Sequence, residues 1–276
     1  MTKKIAFYGK GGIGKSTVAS NVSATLAKQG YRVLHIGCDP KADSVRTLVG
    51  KRVPTILQQI KEKGRDIKRE DIVFDGVFGI QCVEAGGPTA GVGCAGIGIT
   101  TMMKELTRLG VFEETWDFIV YDVLGDVVCG GFSLPMRKAY AEEIYIVSSS
   151  DFMSLYAANN IMKSLLHFDK SGETMGGIIL NRYQDEMDEK IVSNYLEKVQ
   201  ATCTGRIHDS NFLKKADYQQ KTIAQEYPDS LAAKEFEAIC DFIKAPIKEL
   251  IIQPLDEDAL YDWRESLIKE EGLING

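Results

Sequence analysis

Residues Gly9-Lys10-Gly11-Gly12-Ile13-Gly14-Lys15-Ser16 fit the pattern G-x-x-x-x-G-K-[ST]; an apolar run at 4–8 leads into them and a helical pattern at 17–29 follows. A strand, this loop and a helix, in that order, make a phosphate site. Glycines let successive backbone N–H groups turn inward on phosphates, and the helix N-terminus adds positive potential. Lys15 is suited to reach the β/γ oxygens and Ser16 to hold Mg²⁺, so residues 9–16 together with Thr17 are candidates to bind a mononucleotide. The run Phe118-Ile119-Val120-Tyr121 ends in Asp122, which puts a carboxylate at a strand's carboxyl end, where a Mg²⁺-linked water can be held. A second run, at 32–37, leads to Asp39, closed by Pro40. Asp39 and Asp43 are therefore expected on the same rim of the sheet, near the γ-phosphate.

Lys10 is an extra lysine that an ordinary phosphate loop does not need. It resembles the signature lysine of the deviant Walker-A ATPases, a side chain that reaches the nucleotide of the facing subunit, and this implies a face-to-face dimer around ATP. Cys94 lies in a glycine-rich stretch that includes Gly86, Gly87, Gly91, Gly93 and Gly96; Cys129 is flanked by Gly125, Gly130 and Gly131. Both follow sheet strands, and glycine offers each sulfur backbone room and free N–H groups. A [4Fe–4S] cluster takes four thiolates and is tuned by nearby amides. Two such cysteines per chain supply half of the set, and the dimer would supply the rest.

At these residues the chain resembles the iron protein of nitrogenase and its relatives. The likeness covers the phosphate loop, Gly37-Cys38-Asp39-Pro40-Lys41-Ala42-Asp43-Ser44, both cysteine loops and Tyr156-Ala157-Ala158-Asn159-Asn160, reaching to about Asn181. It implies a homodimer sharing one [4Fe–4S] cluster through Cys94 and Cys129, with MgATP in each subunit and ADP as product. Hydrolysis would then gate one-electron transfer to a larger nitrogenase-like catalytic component, the electron having come from a low-potential donor such as ferredoxin or flavodoxin. It further implies that Asp126 stands beside the attacking water, three residues before Cys129, that Lys10, Asp39 and Asp126 are catalytic, and that Asn181 and Asp209 contact the base. Two departures stand out. Ile97 occupies a position where the family usually carries a docking arginine. Arg206-Ile207-His208-Asp209 replaces a Pro-Arg-Asp run, so either His208 substitutes there or the base is held loosely. The departures favour a nitrogenase-like reductase serving another partner over dinitrogenase reductase itself. Two other classes compete: a positioning ATPase, which leaves Cys94 and Cys129 idle, and an iron–sulfur assembly scaffold, whose relatives use a C-x-x-C that this chain lacks.

The elements that must position these residues are legible as strand-like runs at 4–8, 32–37, 80–84, 118–122, 143–148, 175–181 and 202–207, alternating with helical patterns. The expectation is an α/β P-loop NTPase of the deviant Walker-A (SIMIBI) kind: one domain over 1–276, with a mostly parallel sheet and helices on both faces. The stripe Phe152, Leu155, Tyr156, Met162, Leu165, Leu166 reads as a core-facing helix. Residues 251–276 hold seven acids and two bases, and with Tyr261, Trp263 and Leu267 they read as a surface helix docking by its apolar side. The whole chain has 276 residues and a net charge of −6. That balance argues against nucleic acid or a membrane surface as partner. No apolar stretch is long enough to span a bilayer and no leader precedes the first strand, so a cytoplasmic protein is expected. His35 and His167 are read as structural, Cys38 as a small packed residue, and Cys82, Cys203 and Cys240 as core thiols. Met102 and Met103 are expected beneath the first cysteine loop.

Overall fold

The computed structural model describes residues 2–87, 96–125, 133–137, 139–246 and 251–270. Eight strands form one sheet: β1 (Lys3–Tyr8), β2 (Val33–Gly37), β3 (Phe74–Asp75), β4 (Gln81–Glu84), β5 (Phe118–Asp122), β6 (Glu143–Ser148), β7 (Met175–Tyr183) and β8 (Cys203–His208). Their spatial order is β3-β4-β2-β5-β1-β6-β7-β8, and every pairing is parallel except the antiparallel edge pair β3–β4. The two-residue strand β3 has too short a pattern to be read from sequence, whereas the other seven fall on the expected runs. The first strand lies centrally, between β5 and β6, so the loop that follows it emerges at mid-sheet, where chain connections diverge to either side.

Ten helices flank the strands among the described residues: α1 (Lys15–Lys28), α2 (Arg46–Val49), α3 (Ile56–Lys63), α4 (Gly96–Arg108), α5 (Phe152–Phe168), α6 (Glu186–Val199), α7 (Asn211–Tyr218), α8 (Ile223–Glu226), α9 (Leu231–Lys244) and α10 (Glu257–Glu270). Alternate side chains of each central strand enter two separate cores. Ala6, Tyr8, Leu34, Ile36, Ile119 and Tyr121 face a core completed by α4, α5, α6 and α10. Ile5, Phe7, Val33, Phe118 and Val120 face one completed by α1, α8 and α9. Burial on both faces is why these strands read as nearly continuous apolar runs.

The expected helical stripe is α5, with Leu155, Met162 and Leu165 fully buried. The acidic tail docks as α10 through Leu260, Trp263 and Leu267, and the partly exposed Tyr261 ring packs against Phe152 and Tyr156 of α5 at centroid distances of 5.3 and 6.3 Å. The indole N–H of Trp263 donates to Asn194 Oδ1 at 2.7 Å. Asn159, buried in α5, clamps the approach to this helix: its amide donates to the Leu255 carbonyl at 2.8 Å and its oxygen accepts the Leu255 N–H at 2.9 Å. Met102 and Met103 are buried on α4, which begins two residues after Cys94. Among the described residues no helix is long and apolar enough to cross a membrane.

Candidate functional site: a phosphate loop and the strand-end acids beside it

The loop between β1 and α1 turns on glycine. Gly12 and Gly14 have φ of 78° and 94°, a region unfavourable to side chains. The turn is closed by the Ile13 N–H donating to the Lys10 carbonyl at 3.1 Å. From β7 and the residues just after Asn181, two side chains hold it from outside: Asn181 Nδ2 donates to the Ile13 carbonyl and Arg182 donates to the Gly12 carbonyl, each at 2.7 Å. Helix α1 starts at Lys15 itself, two residues earlier than the sequence pattern suggests. The first-turn amides of Lys15, Ser16 and Thr17 therefore belong to the helix end that faces an anion. Gly11 and Gly12 are exposed, Lys10 is half-buried, and Ile13 anchors the loop in the core.

Lys15 and Asp122 meet as a buried ion pair. Lys15 Nζ also lies 3.3 Å from Ser16 Oγ. The second carboxylate oxygen of Asp122 accepts the Ser44 hydroxyl at 2.5 Å. Burial alone would raise the Asp122 carboxyl, but the Lys15 ammonium and these hydrogen bonds hold it below the usual carboxylate range. The side chains fit a phosphate-bound Mg²⁺: the helix-end hydroxyl of Ser16 and the ionised strand-end Asp122 offer oxygen, and Lys15 between them offers positive charge for the phosphates.

Asp39 follows β2 and is buried, and its Oδ1 accepts the Lys41 N–H at 2.9 Å. Burial pushes its carboxyl up, against that hydrogen bond. Asp43, expected beside it, is exposed. Asn181 and Asp209 line a cleft of ≈ 240 Å³ that also touches Gly14 and Thr17. Asp209 pairs with Lys214 at 3.2 Å across the mouth. His208 lines the same cleft, with Nδ1 held by Glu235 and the ring edge-on to Tyr183 at 4.5 Å. Glu235 and Lys214 were invisible to motif reading because they lie on helices α9 and α7, remote in sequence from the loop.

Cys94, Cys129 and Asp126 lie outside the described residues. The backbone leading into both cysteine loops is described, and it touches the nucleotide elements. A Cβ on Gly87 would lie 2.4 Å from the Pro40 side chain, and one on Gly125 would lie 1.6 Å from the Gly9 carbonyl oxygen. Only glycine permits approaches this close. Cys38, Cys82 and Cys240 are buried and Cys203 half-buried, and burial pushes all four thiols up, away from the thiolate that a metal needs. Cys203 is thus less enclosed than the expected core thiol. Among the described residues no group of three or more His, Cys, Asp or Glu side chains is gathered to hold a metal ion.

Comparison with known structures bears on the fold. The chain is similar to the MinD cell division protein of Aquifex aeolicus, with a TM-score of 0.68 at 20% identity, over 90% of this chain and 100% of that one. It is equally similar to the cell division ATPase MinD of Pyrococcus furiosus, with a TM-score of 0.69 at 20% identity, over 88% and 99%. These values establish the α/β P-loop fold. Sequence relatives are much nearer. The nitrogenase iron protein of Methanococcus voltae is 43% identical over 268 residues, covering 96% of each chain. Nitrogenase iron protein 2 of Methanobacterium ivanovii is 45% identical over 258 residues, 94% of this chain and 96% of the relative. The family model that matches residues 3–270 describes 4Fe-4S iron sulfur cluster binding proteins of the NifH/frxC family, and the chain belongs to that family.

Proposed function

We propose that two copies of this chain form a cytoplasmic homodimer in which MgATP hydrolysis gates one-electron delivery to a larger nitrogenase-like catalytic component. Each copy would contribute Cys94 and Cys129 to one shared [4Fe–4S] cluster, which supplies the low-potential electron when bound. A ferredoxin or flavodoxin type of donor would reload it. In this reading the chain's 276 residues act as one unit, and Lys15 leaves Asp122 to grip the phosphates. Ser16 then holds Mg²⁺, and Asp122, released from its lysine, holds a Mg²⁺-bound water. Asp39 and Asp126 position the attacking water, with Asp43 beside them on the same rim, and Lys10 reaches the nucleotide of the facing copy. Asn181 and Asp209 hold the base in the cleft beside Gly14.

The observation that carries the reading is the packing of both cysteine-loop entries on nucleotide elements, Gly87 on Pro40 and Gly125 on Gly9. A displacement by γ-phosphate of the Asp39–Ser44 segment, which holds Pro40, or of the phosphate loop at Gly9, is passed by contact to the backbone that leads to a cysteine, as in other nucleotide switches. Ile97, in the first turn of α4, is 55% exposed. An apolar side chain there, where the resemblance expects an arginine, favours a partner other than dinitrogenase.

Anaerobic purification tests the proposal. The expected product is a brown protein with about four iron atoms per dimer, losing its colour in Cys94→Ala and in Cys129→Ala. It should reduce an acceptor only while ATP is hydrolysed. A folded, colourless anaerobic dimer, or colour that survives both substitutions, would refute it.

A further inference from the structure

The motifs leave one buried histidine, His35, unexplained. His35 lies at full burial in the middle of β2, on the face covered by α1. Its Nδ1 is 2.8 Å from the Ser23 hydroxyl on α1, and its Nε2 is 2.9 Å from the Ser44 hydroxyl in the switch that follows β2. Ser44 in turn meets Asp122 at 2.5 Å, and the other oxygen of Asp122 is the one paired with Lys15. Four elements of the nucleotide site, namely α1, β2, the switch after it and the end of β5, are therefore joined by one buried line of polar groups.

The direction of every proton in that line follows from valence. Asp122 is ionised beside Lys15 and can only accept, so the single Ser44 proton goes to it. Ser44 must then accept from His35, which puts the ring proton on Nε2 and leaves Nδ1 a bare acceptor for the Ser23 hydroxyl. Burial, the largest influence, pushes the His35 ring down to about 4, with Asp122 opposing and Lys15 assisting, which keeps it neutral at physiological pH.

We propose that His35 is a positioning residue for ATP hydrolysis: it holds Ser44 as a one-way donor to Asp122, so that the carboxylate keeps its orientation while Lys15 leaves for the phosphates. The inference rests on the ATPase reading above. Asp122 loses its Lys15 partner in that exchange, and a Ser44 hydroxyl free to rotate would let the carboxylate turn or drift with it. A histidine in the Nε2–H form removes the freedom, because the Ser44 proton cannot turn toward a ring N–H that itself donates to the hydroxyl oxygen. It also ties the Asp39–Ser44 switch to the sheet through a side chain rather than through backbone alone.

The test uses full-length, anaerobically purified protein labelled with ¹³C,¹⁵N-histidine, of which there are three residues, together with Ser23→Ala, His35→Leu and His35→Gln. Magic-angle-spinning NMR should show His35 as a neutral Nε2–H tautomer, and Ser23→Ala, which removes only the hydroxyl at Nδ1, should leave that tautomer in place because Ser44 still requires it. His35→Leu should lower kcat for MgATP hydrolysis about tenfold with KM nearly unchanged, the expected cost of one buried hydrogen bond used after binding. His35→Gln keeps an N–H for Ser44 and should restore most of that loss. An Nδ1–H ring or an imidazolium in the wild type would overturn the inference. So would a His35→Leu protein with wild-type kcat, or a His35→Gln protein that melts like wild type yet is as slow as His35→Leu. Absence of ATP hydrolysis in the wild type would instead strike the ATPase reading, and the tautomer measurement would still decide the hydrogen-bond line.

Discussion

Glu84 ends β4 and is completely buried, with Oε1 accepting the Val45 N–H at 2.8 Å and Oε2 without a hydrogen-bond partner. Gly37 lies against it so closely that a Cβ there would be 2.2 Å from Oε2. Burial is the main cause that lifts this carboxyl from 4.5 to about 8, with Asp122 and Asp43 adding to it and backbone N–H groups opposing. Between those values the folded protein keeps a proton that the unfolded chain has released, so stability falls as pH rises through the window. His35 acts in the opposite sense between about 4 and 6.5, where the unfolded chain binds the proton and stability rises with pH. The two slopes oppose each other below 6.5, and the Glu84 slope stands alone from there to about 8. One and a half pH units at about 1.4 kcal/mol per unit is about 2 kcal/mol. Glu84→Gln imitates the protonated carboxyl in shape and cannot ionise. Urea unfolding of nucleotide-free protein at pH 6.5 and 8 should therefore show the variant gaining on wild type by about 2 kcal/mol over that interval. Burial also raises the four described cysteines, but they weaken the fold only toward pH 9 and above and do so in both proteins alike. Parallel loss of stability in the two proteins across the window would refute the assignment of that proton to Glu84.

Removing Lys15 leaves Asp122 as a buried charge without its counterion, so Lys15→Gln should destabilise nucleotide-free protein by roughly 3–5 kcal/mol, read by thermal melting; an unchanged melt would deny the ion pair. Gly125→Ala forces a Cβ toward the Gly9 carbonyl and should weaken MgATP binding by about tenfold or more, one misplaced loop contact being worth at least 1.4 kcal/mol. Calorimetric titration measures this, and wild-type affinity would show the two backbones to be independent. Trp263→Ala opens a cavity under α10 and should cost about 3–5 kcal/mol in urea unfolding, against less than about 1 kcal/mol if the acidic tail merely rests on the surface.

How much could be read beforehand varied with the range of the interaction concerned. Asp122 was legible because an apolar run ending in an acid is local, and seven strands were legible as apolar runs, the central ones most clearly because they are buried on both faces. Asp39 is buried after β2 with its carboxylate on the Lys41 N–H, and Asp43 is exposed yet near enough to act on the Asp39 carboxyl. Tyr261 and Trp263 were grouped as one apolar side of α10, and both rings meet Phe152 of α5, with Trp263 the more deeply buried. The short antiparallel β3 and the start of α1 at Lys15 depended on pairing and capping contacts that a hydrophobic pattern does not carry.

Spacing along the chain by itself determined the phosphate loop, the strand-helix alternation and the glycine-wrapped cysteines, because each depends on residues within a few positions of one another. Tertiary structure alone decided that Lys15 would meet Asp122, that Ser23, His35 and Ser44 would form one line, and that Gly125 would close on Gly9. Those contacts exist because β5 is inserted between β1 and β2 in the sheet. The order is set by burying all three strands on both faces, and no local sequence rule contains it.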